Sequence, residues 1–253
     1  MPKNTFLVLD EKQASAFDAE FHRPAELDTK FTRLEDSNHC ENFNALDLGG
    51  GNGLFADKLL ARFPKSTVTI LDTSALLLSK NKLSDRKELI KGSIEHIADI
   101  FADRTFDYII MNWVLHHLVG NDYKTSRVNC LHALRHCKRI LKPTGMVIIA
   151  ENMFDGYLRS NFPSHLIYII TSIKWRWFVW LAKRVFNTAG VGVCFQSQPA
   201  WRRIFAEAGF DVVSFDRGLV WWWLRKFPYC GIHLLFVQSV SHGHFFLKAN
   251  SDS

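Results

Sequence analysis

The sequence predicts an α/β fold built on a doubly wound sheet. Three observations carry this. Ala45 to Leu48 is an apolar stub ending on an acid, and a glycine-dense turn, Gly49-Gly50-Gly51-Asn52-Gly53, follows it. A helical pattern then begins, with Phe55, Leu59, Leu60 and Phe63 on one face. Further along, short β-rich runs alternate with helical ones, as in Ser66 to Asp72 followed by Ala75 to Lys82. A strand, a glycine loop and a helix form the entry unit of such a sheet. Glycines there permit positive φ and close approach of a ligand, and the helix N-terminus supplies free N–H groups.

The elements follow in order. Ala14 to Arg23 reads as a helix with Phe17 and Phe21 four apart, and Phe43 to Leu48 is the first strand. Ser66 to Asp72 is the second strand and Glu88 to Gly92 a short third, closed by Ser93-Ile94. Phe106 to Asn112 is an apolar fourth strand suited to burial on both faces, and its exit is Trp113-Val114-Leu115-His116-His117-Leu118. Ser126 to Lys142 is a helix, Leu141-Lys142-Pro143-Thr144-Gly145 a turn, and Gly145 to Ala150 the fifth strand, leading to Glu151-Asn152. Gln198 to Ala208 is a helix with Pro199 in its first turn and Gly209 as its stop, and Phe210 to Phe215 and Ile232 to Ser239 are strands. Trp221, Trp222 and Trp223 are consecutive and cannot all face one core. Ser241 to Ser253 reads as a polar, flexible tail, in which His242-x-His244 is a weak metal signal.

Length and composition bound the function. A chain of 253 residues suits one domain with an elaboration. The formal charge of +6 and pI of about 9.1 are moderately basic, without the dense Lys/Arg run that nucleic-acid binding uses. Cys40, Cys130, Cys137, Cys194 and Cys230 form no C-x-x-C pair, which fits reduced thiols in a cytoplasmic protein. The first residues, Met1-Pro2-Lys3-Asn4-Thr5, lack the apolar core of a signal peptide.

Asp47-x-Gly49-x-Gly51-x-Gly53, the "fD.i......lhH"-like segment at Phe106 to His117 and the "r.LkPtG.vii.e"-like segment ending at Glu151 resemble class I S-adenosylmethionine (SAM) dependent methyltransferases of the small-molecule type. The resemblance covers roughly residues 43 to 153. It implies a seven-stranded, mostly parallel sheet of strand order 3-2-1-4-5-7-6, strand seven being antiparallel. It implies one methyltransferase domain over 1–240, with an N-terminal cap at 1–40, a helical lid inserted at 153–198, and the tail at 241–253.

The resemblance also implies S-adenosyl-L-methionine as cofactor. Asp47, Gly49, Gly50, Gly51 and Gly53 would hold its methionine end, Asp72 the ribose hydroxyls with Thr73 beside it, and Ser93 and Ile94 would border adenine. Ser93 stands where the family often has an acid. Asn112 and Trp113 reach the cofactor crevice by their place at the end of strand four. Gly51-x-Gly53-x-x-Ala56 also fits a dinucleotide fingerprint, with Asp72 about 20 residues on. Asp47 opposes that reading, because a carboxylate before the loop repels a pyrophosphate, whereas SAM carries an ammonium and a sulfonium. A NAD-dependent oxidoreductase and a non-catalytic SAM-binding protein are the alternatives.

His116 and His117 are the candidate general bases, since methyl transfer needs a base only where the nucleophile starts protonated. Adjacent helical histidines point about 100° apart, so one of the two reaches a given atom. No other ligands at matching spacing accompany the pair, and no metal is expected. The Asn/Asp-Pro-Pro-Tyr/Phe motif of amide-nitrogen methyltransferases is absent from Asn112-Trp113-Val114-Leu115. The expected acceptor is a small, largely apolar or aromatic metabolite, methylated on oxygen or nitrogen. His165 to Phe186 is long and aromatic, but Lys174 and Arg176 interrupt it. It reads as the lid over that acceptor, or as a peripheral membrane element that would bring a lipid or quinone acceptor into range; its basic positions form no clean single face, which favours the lid.

Overall fold

The computed structural model describes residues 24–35, 42–175, 177, 179–180, 188–218 and 236–250. The expected helix at Ala14 to Arg23, with Phe17 and Phe21, and the run Trp221 to Trp223 lie outside them. In chain order the elements are α1 (Pro24–Glu35), β1 (Asn44–Leu48), α2 (Leu54–Arg62), β2 (Thr67–Asp72), α3 (Ala75–Leu78), β3 (Lys87–Lys91), α4 (Ile97–Ile100), β4 (Phe106–Asn112), α5 (Tyr123–Ile140), β5 (Leu141–Gly156), α6 (Phe162–Thr171), α7 (Gln198–Glu207), β6 (Phe210–Arg217) and β7 (Val237–Ala249). The sheet has seven strands in the order β3-β2-β1-β4-β5-β7-β6. β1 pairs in parallel with β2 and β4, β2 in parallel with β3, and β6 antiparallel with β7. This is the expected doubly wound order.

The chain divides into two compact units. Of the described residues, those within 24–112 and 136–148 form one, and those within 113–135 and 149–250 the other. In the first unit, β4 is buried from Phe106 to Met111 and β1 from Ala45 to Leu48, as strands covered on both faces require. Its aromatic core joins α1, β1, α2 and β4: Phe31 to Phe63 (6.0 Å between ring centroids), Phe63 to Phe43 (5.1 Å) and Phe43 to Tyr108 (4.9 Å). These pairs are edge-on, the arrangement ring quadrupoles prefer. In the second unit Trp201 of α7 stacks on Phe205, whose ring meets Phe245 of β7.

Two expectations need correction. β5 is not six residues but sixteen, starting at Leu141 and running to Gly156. Phe154 N donates to Gln196 O at 3.1 Å, so backbone beyond the expected strand end still finds a partner. The aromatic run from His165 opens inside a short helix. α6 begins at Phe162 and stops at Thr171, where Thr171 Oγ1 donates back to Ile167 O at 2.7 Å. Residues 241–249 are not a tail. They belong to β7, where His242 and His244 are 2% exposed and Phe245, Phe246 and Leu247 are buried. The polar start of this stretch hides a strand whose histidines lie inside, each imidazole offering a buried polar edge.

Candidate functional site

The glycine loop assembles at the C-terminal ends of β1, β2 and β4, where Leu48 lies beside both Leu71 and Met111. Gly49, Gly51 and Gly53 take positive φ (71°, 51° and 72°), a backbone open to glycine and strained for other residues. Gly53 caps α2, and its carbonyl accepts from Asp57 N at 2.8 Å. Asn81 ties the loop from below: its Nδ2 donates to Gly51 O at 2.8 Å and Leu78 O at 3.1 Å. A Cβ on Gly53 would run into the Asn81 carboxamide, so both the φ and the space demand glycine there. Sequence reasoning passed over Asn81, whose role depends on a contact 30 residues away.

Asp72 secures the loop from the second strand. Its Oδ2 accepts from Gly51 N at 3.0 Å and its Oδ1 from Ser74 N at 2.8 Å. Ser74, in turn, caps α3 by accepting from Leu77 N at 3.2 Å, and Thr73 is exposed. A carboxylate only accepts, so Asp72 at the end of β2 suits the hydroxyl groups of a sugar. Gly92 N donates to Asp72 O at 3.0 Å, which starts the Ser93-Ile94 turn beside the end of β2. Ser93 caps that turn through Glu95 N, and Ile94 is buried.

Asp47 is 1% exposed, and its Oδ2 has no hydrogen-bond partner among the described residues. A Cβ on Gly50 would stand 2.5 Å from that oxygen, so glycine keeps the space above it open. Burial pushes the Asp47 carboxyl up to about 7, Asp72 adds to the rise, and the charges of Lys30 and Lys87 oppose it. Lys30 itself comes from α1 and is 1% exposed. Its Nζ donates to Asn112 Oδ1 at 2.6 Å and lies 5.4 Å from the Phe55 ring centroid. A buried carboxyl with an open oxygen and a buried ammonium thus occur in one site. That combination matches an amino-acid zwitterion and opposes a pyrophosphate. Lys30 carries no sequence signal of its own, because it lies outside any motif.

The second unit holds the histidines. Trp113 is at φ 56°, a left-handed conformation costing on the order of 1–3 kcal/mol in a non-glycine residue, and its N–H donates to Ala150 O at 2.8 Å. Trp113 also meets the ring of His242 edge-on at 5.6 Å. His116 Nδ1 lies 2.6 Å from Glu151 Oε2, and Glu151 Oε1 accepts from Leu115 N at 2.7 Å and His116 N at 3.3 Å. Glu151 is fully buried. A carboxylate only accepts, so Nδ1 carries the proton and Nε2 presents its lone pair. Phe195 packs on the His116 ring at 4.7 Å and stacks on Phe154. His117 is half-buried with its ring 4.1 Å from that of His116; burial, then the neighbouring imidazole, holds it well below the usual histidine range. Glu151, which follows the expected fifth strand, thereby orients His116. The described cysteines offer no rival nucleophile. Burial pushes the thiols of Cys137 and Cys194 up to about 12, and among the described residues Cys130, Cys137 and Cys194 are free.

Residues 46–149 match the methyltransferase domain family. Malonyl-[acyl-carrier protein] O-methyltransferase 2 of Ilyobacter polytropus is 29% identical over 126 residues, 49% of this chain and 44% of that protein. Myricetin 7/4'-O-methyltransferase 2 of Solanum habrochaites is 25% identical over 174 residues, 66% of this chain and 40% of its own. The chain therefore spans less than half the length of either relative. A SAM-dependent methyltransferase from Leishmania major shares the fold, with a TM-score of 0.57, 17% identity, and coverage of 88% of this chain and 71% of the other. Strand order and glycine loop agree with the match over residues 46–149: that stretch is a methyltransferase domain of the class I SAM-dependent kind, for which SAM is the cofactor. The residues fit that cofactor, since the open Oδ2 of Asp47 under Gly50 suits an ammonium and the glycine loop leaves room for it.

Proposed function

We propose that the chain transfers the methyl group of SAM to an oxygen or nitrogen of a small, largely apolar or aromatic metabolite, with His116 as the base that takes the acceptor's proton. The carrying observation is the His116–Glu151 pair at 2.6 Å, which presents Nε2 as a proton acceptor. Bound SAM supplies an electrophilic methyl on a sulfonium. Asp47 and Lys30 would take the two charged ends of its amino-acid moiety, and Asp72 the ribose. Glu151 holds the imidazole in the accepting tautomer and favours its charged form once the proton arrives. Phe195 keeps the ring in place and adds an apolar wall. Two relatives are named as O-methyltransferases, which agrees with an oxygen acceptor.

The test uses SAM with a deuterated methyl group, incubated with the protein and an extract of the source cells, with Asp72→Ala as the control. Label in a small molecule that is absent from the control supports the reading and names the acceptor. Measurable SAM binding with no label in any small-molecule fraction overturns it, and label in protein or nucleic acid moves the acceptor to that class.

A further inference from the structure

Residues 156–206 contain seven of the chain's 31 lysines and arginines and none of its 25 acids, so this stretch alone carries more than the whole formal charge of +6. The same stretch concentrates exposed apolar side chains. α6 is apolar on two faces: Ile167 and Tyr168 are buried, while Phe162 and Ile169 face outward at 36% and 59% exposure. The turn before it exposes Leu158 at 77%, and the residues after it expose Trp175, Trp177 and Trp180 at 63% to 66%. Lys174 and Arg159, between and beside them, are exposed as well. An apolar outer face of this extent marks an interaction surface.

We propose that residues 157–180 dock the protein on an anionic lipid bilayer, with the tryptophans at headgroup depth and the basic side chains on lipid phosphates and carboxylates. Indole is amphipathic and settles at that depth, and each nearby cation adds attraction to a negatively charged leaflet. The contact is peripheral. The ten residues of α6 reach about 15 Å, against a hydrocarbon core of about 30 Å. No described helix is long and apolar enough to cross a membrane. The tryptophans would also stack on bases, but the exposed aliphatic side chains of Leu158 and Ile169 beside them favour acyl chains over nucleic acid. A second copy of this chain would set basic against basic across a twofold axis.

The experiment is vesicle flotation of the full chain with phosphatidylcholine alone and with phosphatidylserine added. The expected result is binding at least about tenfold tighter with phosphatidylserine. The triple variant Trp175→Ser/Trp177→Ser/Trp180→Ser should lose at least about tenfold, with an unchanged Tm. Leu158→Asp, at a turn position away from the core, repeats the test where the triple variant fails to fold. Absence of binding to phosphatidylserine vesicles overturns the proposal. So does binding indifferent to both variants, displacement of vesicles by single-stranded DNA, or a dimer that the tryptophan variant dissociates. Neither SAM nor an acceptor takes part, so this outcome and that of the labelling experiment are independent.

Discussion

Glu151 grips His116 three ways: its Oε2 takes the ring at Nδ1, and its Oε1 takes the N–H groups of Leu115 and of His116 itself. One buried carboxylate thereby sets the tautomer and the backbone turn together. Glu151→Gln would place an amide in the same space, and its NH2 would donate to Nδ1, driving the ring proton to Nε2. Expected is a fall of about 10²–10⁴-fold in kcat with SAM affinity unchanged, matched by His116→Gln. Stopped-time assays with labelled SAM, alongside calorimetric binding, check this. Wild-type activity in both variants would remove the base from the reaction.

Asp47 makes stability and binding respond to pH in opposite senses. Its folded value of about 7 lies above the ordinary 3.8, so the folded apoprotein binds this proton more tightly than the unfolded chain does. Its contribution is full below about pH 4 and is lost as pH rises to about 7, on the order of 4 kcal/mol in all. Binding an ammonium needs the carboxylate, so SAM affinity should rise up to about tenfold between pH 6 and 8. Asp47→Asn should flatten both curves. Lys30→Met, which removes the main opposing charge, should move the midpoint of the affinity curve to higher pH. Thermal melts and calorimetry across that range read all three.

The two loop glycines fail differently. At Gly53 the backbone is left-handed and the Asn81 carboxamide fills the space, so Gly53→Ala should cost at least about 1–2 kcal/mol of stability. At Gly50 the backbone is not left-handed, and the new methyl would press at 2.5 Å on Asp47 Oδ2, the oxygen left open to a ligand, and at 3.0 Å on Ile70. Gly50→Ala should therefore lower SAM affinity more than Tm. The ratio of the two effects, taken from melts with and without SAM, separates scaffold from ligand space.

Asp72→Ala strips acceptors from two buried N–H groups, those of Gly51 and Ser74. A loss of about 1–3 kcal/mol per group in stability is expected, together with roughly 2 kcal/mol in SAM binding. A folded variant with wild-type SAM affinity would take the ribose role away from Asp72.

How much of this was legible in the sequence depends on the range of each contact. The loop from Asp47 to Gly53 and the acid at Asp72 announce themselves through local pattern, since glycine φ and strand periodicity are set by neighbours in the chain, whereas the strand order followed from the resemblance to the family. Lys30, Asn81 and Glu151 act across 82, 30 and 35 residues, and no local pattern marks them. The part of β7 from Ser241 onward was missed for another reason. Its histidines and Ser241 read as solvent-facing by composition, yet the strand buries them.

The antiparallel pair at the sheet edge has a consequence for how the protein is born. β6 is an edge strand, and β7 is the strand that joins it to the sheet. Yet Arg217, which ends β6, is synthesised well before Val237, which begins β7. During that interval on the ribosome, β6 has no place in the sheet, and β5 presents a bare flank of N–H and C=O groups. This nascent intermediate is the form most open to misassociation, and the one in which a chaperone holding that flank would raise yield most.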